Sequence, residues 1–214
     1  MSLSLKDLRF DLQIIASWIE PGSKVIDLGC GRGDLLLYLR EHKGVKGIGI
    51  EKDEAEVREC IQKGLTVIQG DLNQEVLDYP DQAFDYVILS QTLQQIYTPH
   101  LLLPSLLRIG RRVIVSFPNF AHWTIRLDLL LHGRAPKNPQ LPYEWYDSPN
   151  IRVITIRDFR EFIHRLGYRV IREAPVSTYN QDRQGKIVRR WANLRATYGI
   201  FMVGKEENGR KNGN

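Results

Sequence analysis

The 214-residue chain carries 30 Lys/Arg against 25 Asp/Glu, a net charge of +5, with 43% hydrophobic residues and two cysteines. That length supports one domain with a core that needs neither disulfide nor metal. Two cysteines are too few for a secreted disulfide framework, so a reducing, cytoplasmic setting is expected. No apolar run approaches the roughly 20 residues of a membrane span, and the charged start, Met1 to Phe10, lacks the apolar core of a signal peptide. Charge is divided unevenly: residues 1–107 hold 10 Lys/Arg against 16 Asp/Glu, and residues 108–214 hold 20 against 9. A basic half is compatible with nucleic acid, anionic lipid or an acidic protein, and a solvated basic surface is its commoner meaning.

In chain order, Leu8, Leu12, Ile15 and Trp18 or Ile19 recur at helical spacing, predicting one amphipathic helix over 5–19 that Pro21-Gly22 stops. The run Val25 to Leu28 reads as a buried strand entering a glycine-rich turn, followed by a helix from Asp34 to His42 that Gly44 ends. A second strand over 45–50, a helix over 53–63, a third strand over 65–68 and a fourth over 84–89 follow. This β-α-β-α-β order implies a parallel sheet with helices on both faces. A fifth strand spans 112–116. Residues 133–150 then hold four prolines and three aromatics, too irregular for a helix or strand and too apolar for a flexible linker, and read as a structured functional loop. Thr155 caps a helix reaching Leu166. Strands at 168–173 and 196–204 finish the sheet in antiparallel fashion, before a tail over 205–214 expected to be disordered.

The chemistry concentrates in residues 25–36, Val-Ile-Asp-Leu-Gly-Cys-Gly-Arg-Gly-Asp-Leu-Leu. Glycines at 29, 31 and 33 let a ligand approach the backbone. A dinucleotide fingerprint would need a further glycine where Asp34 stands, and Asp34 and Asp27 both set negative charge where a pyrophosphate would rest. Such a site suits a cationic group. Glu51 closes the second strand, next to Lys52, where its carboxylate can accept from two neighbouring hydroxyls. Asp71 and Leu72 follow the third strand, placed to accept from an amino group and to pack on a ring; Ser90 ends the fourth strand. The set Asp27, Gly29, Gly31, Gly33, Glu51, Lys52, Asp71, Leu72 and Ser90 resembles the S-adenosylmethionine site of class I methyltransferases.

No catalytic residue can be named. The segment Ser90-Gln-Thr-Leu-Gln-Gln95 has no Asn/Asp-Pro-Pro-Tyr motif to hold a nucleophilic nitrogen. Cys30 and Cys60 read as small buried hydrophobes. His122, beside Asn119 and Trp123, is the one histidine near the expected cleft, and a structural role is preferred for it. No His, Cys or acidic set shows metal-ligand spacing. The cluster Arg183, Lys186, Arg189, Arg190, Trp191 and Arg195 could track phosphates, but it belongs to no known nucleic-acid module, so nucleic acid is not the expected partner.

Three segments carry a more specific resemblance: Ser116-Phe-Pro-Asn-Phe-Ala-His-Trp-Thr-Ile-Arg-Leu127 with Gly133-Arg134, Leu141-Pro-Tyr-Glu-Trp-Tyr-Asp-Ser-Pro-Asn-Ile151, and Thr155-Ile-Arg-Asp-Phe159. With Val87 to Gln94 they resemble the methionine biosynthesis protein MetW family over roughly Leu5 to Gly204. Arg152 stands where a histidine is expected in that family, and Ser148 where threonine is usual. The resemblance implies an α/β, Rossmann-like class I methyltransferase fold, a mostly parallel seven-stranded sheet with helices on both faces, in a single domain over 1–204 with the 133–150 loop inserted after strand five. It further implies S-adenosylmethionine as cofactor, and a role in methionine synthesis in a hetero-complex with a homoserine O-acyltransferase (MetX). The alternative is an active methyltransferase on a small molecule.

Overall fold

The computed structural model describes residues 3–138, 141–178 and 182–205; nearly all of the expected tail, residues 206–214, lies outside them. A 3-10 turn over Leu5–Asp7 precedes helix α1, Phe10–Trp18. Strand and helix then alternate: β1 Lys24–Leu28, α2 Asp34–Lys43, β2 Lys46–Glu51, α3 Glu54–Gln62, β3 Thr66–Gln69, α4 Leu72–Glu75, β4 Phe84–Ser90, α5 Pro99–Ile109 and β5 Gly110–Pro118. Helices α6 (Trp123–His132) and α7 (Ile156–Arg165) lead to β6 Arg169–Ser177, β7 Lys186–Ile187, α8 Ala192–Arg195 and β8 Tyr198–Gly204.

The strands form one sheet in the order β3-β2-β1-β4-β5-β8-β6-β7. The first five in that order run parallel, and β8 and β6 pair antiparallel, as expected. The seven strands expected become eight because Lys186–Ile187 adds a short edge strand against Val176 and Ser177. A two-residue strand has no periodicity for a sequence to display. Between β1 and β4 the strand order reverses, which opens a crevice at the carboxyl ends of the parallel strands.

Side chains alternate across the sheet with period two. Ile26, Leu28, Val87, Leu89, Val113, Val115, Phe201 and Val203 face the helices α5 and α7, where Phe117, Phe159 and Phe201 pack ring against ring. Val25, Tyr86, Ile88, Ile114, Tyr198, Ile200 and Met202 face α1 and α2. Along this second face the apolar series ends in polar groups at the carboxyl ends: Val25 gives way to Asp27, Ile88 to Ser90, and Ile114 to Ser116. The start of α1 covers that polar end.

Three departures from the sequence-based elements matter for the site. The helix expected over 5–19 is interrupted at Leu8 and Arg9, so the chain turns before α1 begins. Helix α5 carries Pro99 at its start and Pro104 inside, which hid its periodicity. Helix α6 buries Ile125 but leaves Trp123, Leu127, Leu129, Leu130 and Leu131 exposed, so it has no inward stripe to read. Residues 133–138 and 141–150 form no helix or regular strand, only a bridge between Asn138 and Leu141. Arg152 laces this region to the segment after β4: its N–H donates to the Gln94 carbonyl at 3.0 Å and its guanidinium to the carbonyls of Ile96 and Tyr97.

Candidate ligand cleft

The carboxyl ends of β1, β2, β3 and β4 open on a cleft of about 950 Å³. Its floor is the glycine turn after β1. Gly29 and Gly33 have φ of +74° and +72°, in the left-handed region that side chains disfavour. Packing demands glycine there too: a Cβ on Gly29 would stand 2.7 Å from Thr92 Oγ1, and one on Gly33 2.4 Å from Leu65 Cδ1. The space that sequence reasoning reserved for a ligand at these two positions is therefore filled by the protein's own side chains, while the turn still borders the cleft.

Asp27, at the end of β1, is a buried carboxylate. It is 3% exposed, its Oδ1 is buried without a hydrogen-bond partner, and neither oxygen has an ion pair among the described residues. Burial pushes its carboxyl up to about 7, against the pull of the Arg9 charge and with a further push from Glu51. Glu51 is already engaged: Oε2 accepts from the Gly31 N–H at 2.9 Å, and Oε1 from the N–H groups of Lys52 and Asp53 at 2.7 and 3.0 Å. Three of roughly four acceptor positions on a carboxylate are thus used, leaving one for a ligand where the sequence suggested two. Asp71 caps α4, with Oδ1 accepting from the Asn73 N–H and Nδ2 at 2.9 and 2.8 Å; the first of these bonds does most to hold its carboxyl below the usual range. Its Oδ2 accepts no hydrogen bond among the described residues. Leu72 stands half-buried beside it on the cleft wall, and Lys52 is exposed at the rim.

Ser90 belongs to a network that sequence reasoning missed. Asp11, 2% exposed, accepts from Gln91 Nε2 at 3.0 Å, Ser90 Oγ at 3.2 Å and Ser116 Oγ at 3.4 Å. It also holds the Arg9 guanidinium through two parallel bonds, Nε to Oδ1 and Nη2 to Oδ2, both 3.2 Å. Gln91 reaches this arrangement with a φ of +53°, unusual for a residue with a side chain. The signal was present: Asp11 lies three residues after Leu8 and four before Ile15, on the buried stripe of the N-terminal segment.

Other candidates are not brought to the cleft. Asn119 is buried, donating to the carbonyls of Asn193 and Ala196 at 3.1 and 2.8 Å and accepting from the Ala121 and Ile156 N–H groups; it is a structural pin. His122 hydrogen-bonds Thr124 Oγ1 at 2.7 Å, and burial pushes its imidazole below the usual value. Neither lines the cleft. Cys30 and Cys60 are free thiols whose acidity burial suppresses. Among the described residues no His, Cys, Asp or Glu group is arranged to hold a metal ion, and no helix is long and apolar enough to cross a membrane. The chemistry of the donor set is that of a cationic, hydrogen-bonding ligand: one oxygen each of Asp27 and Asp71 without a partner among the described residues, and a glycine turn between β1 and α2.

Solved structures of similar fold include methyltransferases. One, described as an S-adenosylmethionine-dependent methyltransferase and possible histamine N-methyltransferase from Thermotoga maritima, superposes with a TM-score of 0.66 at 15% identity, over 92% of this chain and 88% of that one. Another such methyltransferase, from Archaeoglobus fulgidus, gives 0.64 at 16% identity over 91% of each chain. The fold is therefore the Rossmann-like class I methyltransferase fold. In sequence, the chain is 38% identical over 168 residues to a bifunctional methionine biosynthesis protein MetXA/MetW of Rhodopirellula baltica, covering 74% of this chain and 27% of that longer protein. It is 29% identical over 94 residues to a ubiquinone/menaquinone biosynthesis C-methyltransferase, UbiE, of Xanthomonas oryzae, 39% of this chain and 36% of that one. The chain thus spans about a quarter to a third of the length of these relatives. The family model described as methionine biosynthesis protein MetW matches residues 9–203, and the chain belongs to that family.

Proposed function

We propose that this chain binds S-adenosylmethionine in the cleft and supports methionine synthesis as a partner and regulator of a homoserine O-acyltransferase of the MetX type. The observation that carries the cofactor reading is Asp27, a buried carboxylate whose Oδ1 has no hydrogen-bond partner among the described residues, on the border of a cleft of about 950 Å³. An uncompensated buried charge is costly, and a ligand ammonium relieves it. Asp27 would hold the ammonium of the methionine moiety, the remaining acceptor position of Glu51 a ribose hydroxyl, and Asp71 Oδ2 the adenine amino group, with Leu72 against the ring. Bound there, S-adenosylmethionine supplies an electrophilic methyl on a sulfonium.

The partner role is supported by the Rhodopirellula relative, whose name joins MetXA and MetW in one polypeptide. Fusion holds two modules at high effective concentration, an arrangement that favours modules that meet. Two surfaces suit such a contact: the exposed apolar residues of α6, and Tyr143, Trp145 and Tyr146 in the loop after it, residue types that anchor interfaces. The test is homoserine acylation by the host's own acyltransferase, titrated with this protein with and without S-adenosylmethionine. Raised activity or a stable complex supports the partner role, and a cofactor effect makes the chain a sensor of the pathway's product. An acyltransferase equally active and stable alone refutes it.

A second reading, methyl transfer to a small molecule, draws on Gln94. It is 4% exposed on the cleft border and its Oε1 has no hydrogen-bond partner among the described residues, leaving an acceptor for a second ligand. Methyl transfer from labelled S-adenosylmethionine to small amines and alcohols, lost in Gln94→Ala, would favour it over the partner role.

A further inference from the structure

Residues 186–195 run from the edge strand β7 into α8. Lys186, Arg189, Arg190 and Arg195 are exposed there, and none of the four has an ion pair or a side-chain hydrogen bond among the described residues. The three arginines of the adjoining α7, by contrast, are each paired with Glu161 or Glu173. A lysine on an edge strand keeps that edge from pairing with other chains, which accounts for Lys186; the arginines lie beyond the strand. Trp191 stands among them, 75% exposed, with a φ of +58° in the left-handed region that bulky side chains avoid. The chain thus carries both a strained backbone and an exposed indole at one position, with little packing to offset either. The corner is nonetheless fixed in place. The Trp191 carbonyl accepts from the Leu194 and Arg195 N–H groups, both at 2.9 Å, and the Val188 N–H donates to the Pro175 carbonyl at 2.7 Å. Asn119 donates to the carbonyls of Asn193 and Ala196 while accepting from the Ala121 N–H, which ties α8 to the entry of α6, where the exposed apolar residues begin at Trp123.

We infer that Arg189, Arg190 and Arg195, with Trp191 as their anchor, form a docking surface for an acidic face of the partner acyltransferase, a cationic rim beside the apolar residues of α6. This rests on the partner role proposed above and adds to it the charge that the leucines of α6 lack. Rim cations speed encounter with an acidic surface, and a tryptophan held by its backbone loses little freedom when it is buried by a partner. A nucleic acid could use the same cations, but the leucines of α6 give it nothing to stack on or pair with. Tryptophan and arginine beside an apolar face are instead the residue types of protein interfaces.

Surface plasmon resonance with the host's own acyltransferase tests the inference on two variants, Trp191→Gly and the double variant Arg189→Glu/Arg190→Glu. Wild-type association should slow as salt rises, and the double variant should associate about tenfold more slowly at low salt and lose most of that salt dependence. Glycine tolerates the left-handed backbone, so Trp191→Gly should melt no lower than wild type while its complex dissociates at least about tenfold faster. A Trp191→Gly variant that melts clearly lower would assign the ring to the fold and overturn its role as an anchor. Capture unchanged in both variants overturns the docking surface and leaves the partner role standing, whereas no capture by the wild-type protein overturns both. A single-stranded oligonucleotide retained by wild type and released by the double variant, with acyltransferase capture unchanged, would hand the corner to nucleic acid and overturn the inference.

Discussion

Replacing Asp27 by asparagine sets binding against stability in a way that can be measured directly. In the folded protein the Asp27 carboxyl is held at about 7 by burial, whereas in the unfolded chain it titrates near its ordinary 3.8. Between those values the folded state keeps a proton that the unfolded state has lost, so stability falls as pH rises from about 4 to about 7. At about 1.36 kcal/mol per pH unit the full cost is about 4 kcal/mol, present at pH 8. Asparagine removes the charge but leaves a buried amide short of partners, which returns about 1–3 kcal/mol of that gain. The ligand-free variant should therefore be more stable than wild type at pH 8 by about 1–3 kcal/mol, raising its melting temperature by about 2–12 °C for a chain of this size. At pH 5 the wild-type cost is only about 1–2 kcal/mol, which the amide's own cost offsets, and the two should melt within a few degrees of each other. Thermal unfolding by circular dichroism at both pH values reads this out, and calorimetry should show that the variant has lost S-adenosylmethionine binding. A variant no more stable than wild type at pH 8, with a difference that does not change down to pH 5, would refute the account of Asp27 as an unpaired buried charge.

Ligand affinity should follow the same ionisation. Below about pH 7 a proton must leave Asp27 before an ammonium can replace it, so binding should weaken by up to tenfold per pH unit on acidification and level off above pH 7.5, as titrations from pH 5.5 to 8.5 would show. Gly33→Ala would place a Cβ 2.4 Å from Leu65 Cδ1 and 2.8 Å from Cys60 Sγ at a φ of +72°, and should cost about 2–4 kcal/mol in denaturant titrations; a smaller loss than 1 kcal/mol would mean that the turn relaxes readily. Leu130 is 81% exposed, so Leu130→Glu should change stability by no more than about 0.5 kcal/mol while weakening capture of the acyltransferase at least about tenfold. Unaltered capture by surface plasmon resonance would move the contact away from α6.

The polar end of one sheet face unites these effects. Asp27, Ser90 and Ser116 continue the rows Val25, Ile88 and Ile114, on the side that α1 and α2 cover. A fully apolar face would be more stable, but it could not hold a guanidinium in place or leave a carboxylate waiting for a cation. Asp11 is the residue that makes the arrangement tolerable, because it supplies the countercharge that keeps Arg9 fixed without quenching Asp27.

The seven longer strands, the glycine turn and the helices at 34–43, 54–62 and 156–165 could be read from the chain itself, because each is written in local terms: period-two apolar runs, a glycine at a left-handed cap, an Asp or Thr at an N-cap. The positions of Glu51 and Asp71 on the cleft were legible for the same reason, since each lies at the end of a strand visible on its own. Helix α6 was not, because its leucines face outward and make no stripe, and α5 was not, because prolines interrupt it. Only the tertiary structure decided what Asp27 lacks, that Glu51 is already bonded to the turn it flanks, and that Arg9 and Asp11 meet Ser90, about 80 residues away in sequence. Propensity and periodicity act over a turn or two of chain, whereas the presence or absence of a partner for a buried charge depends on which distant segments the packed sheet brings together.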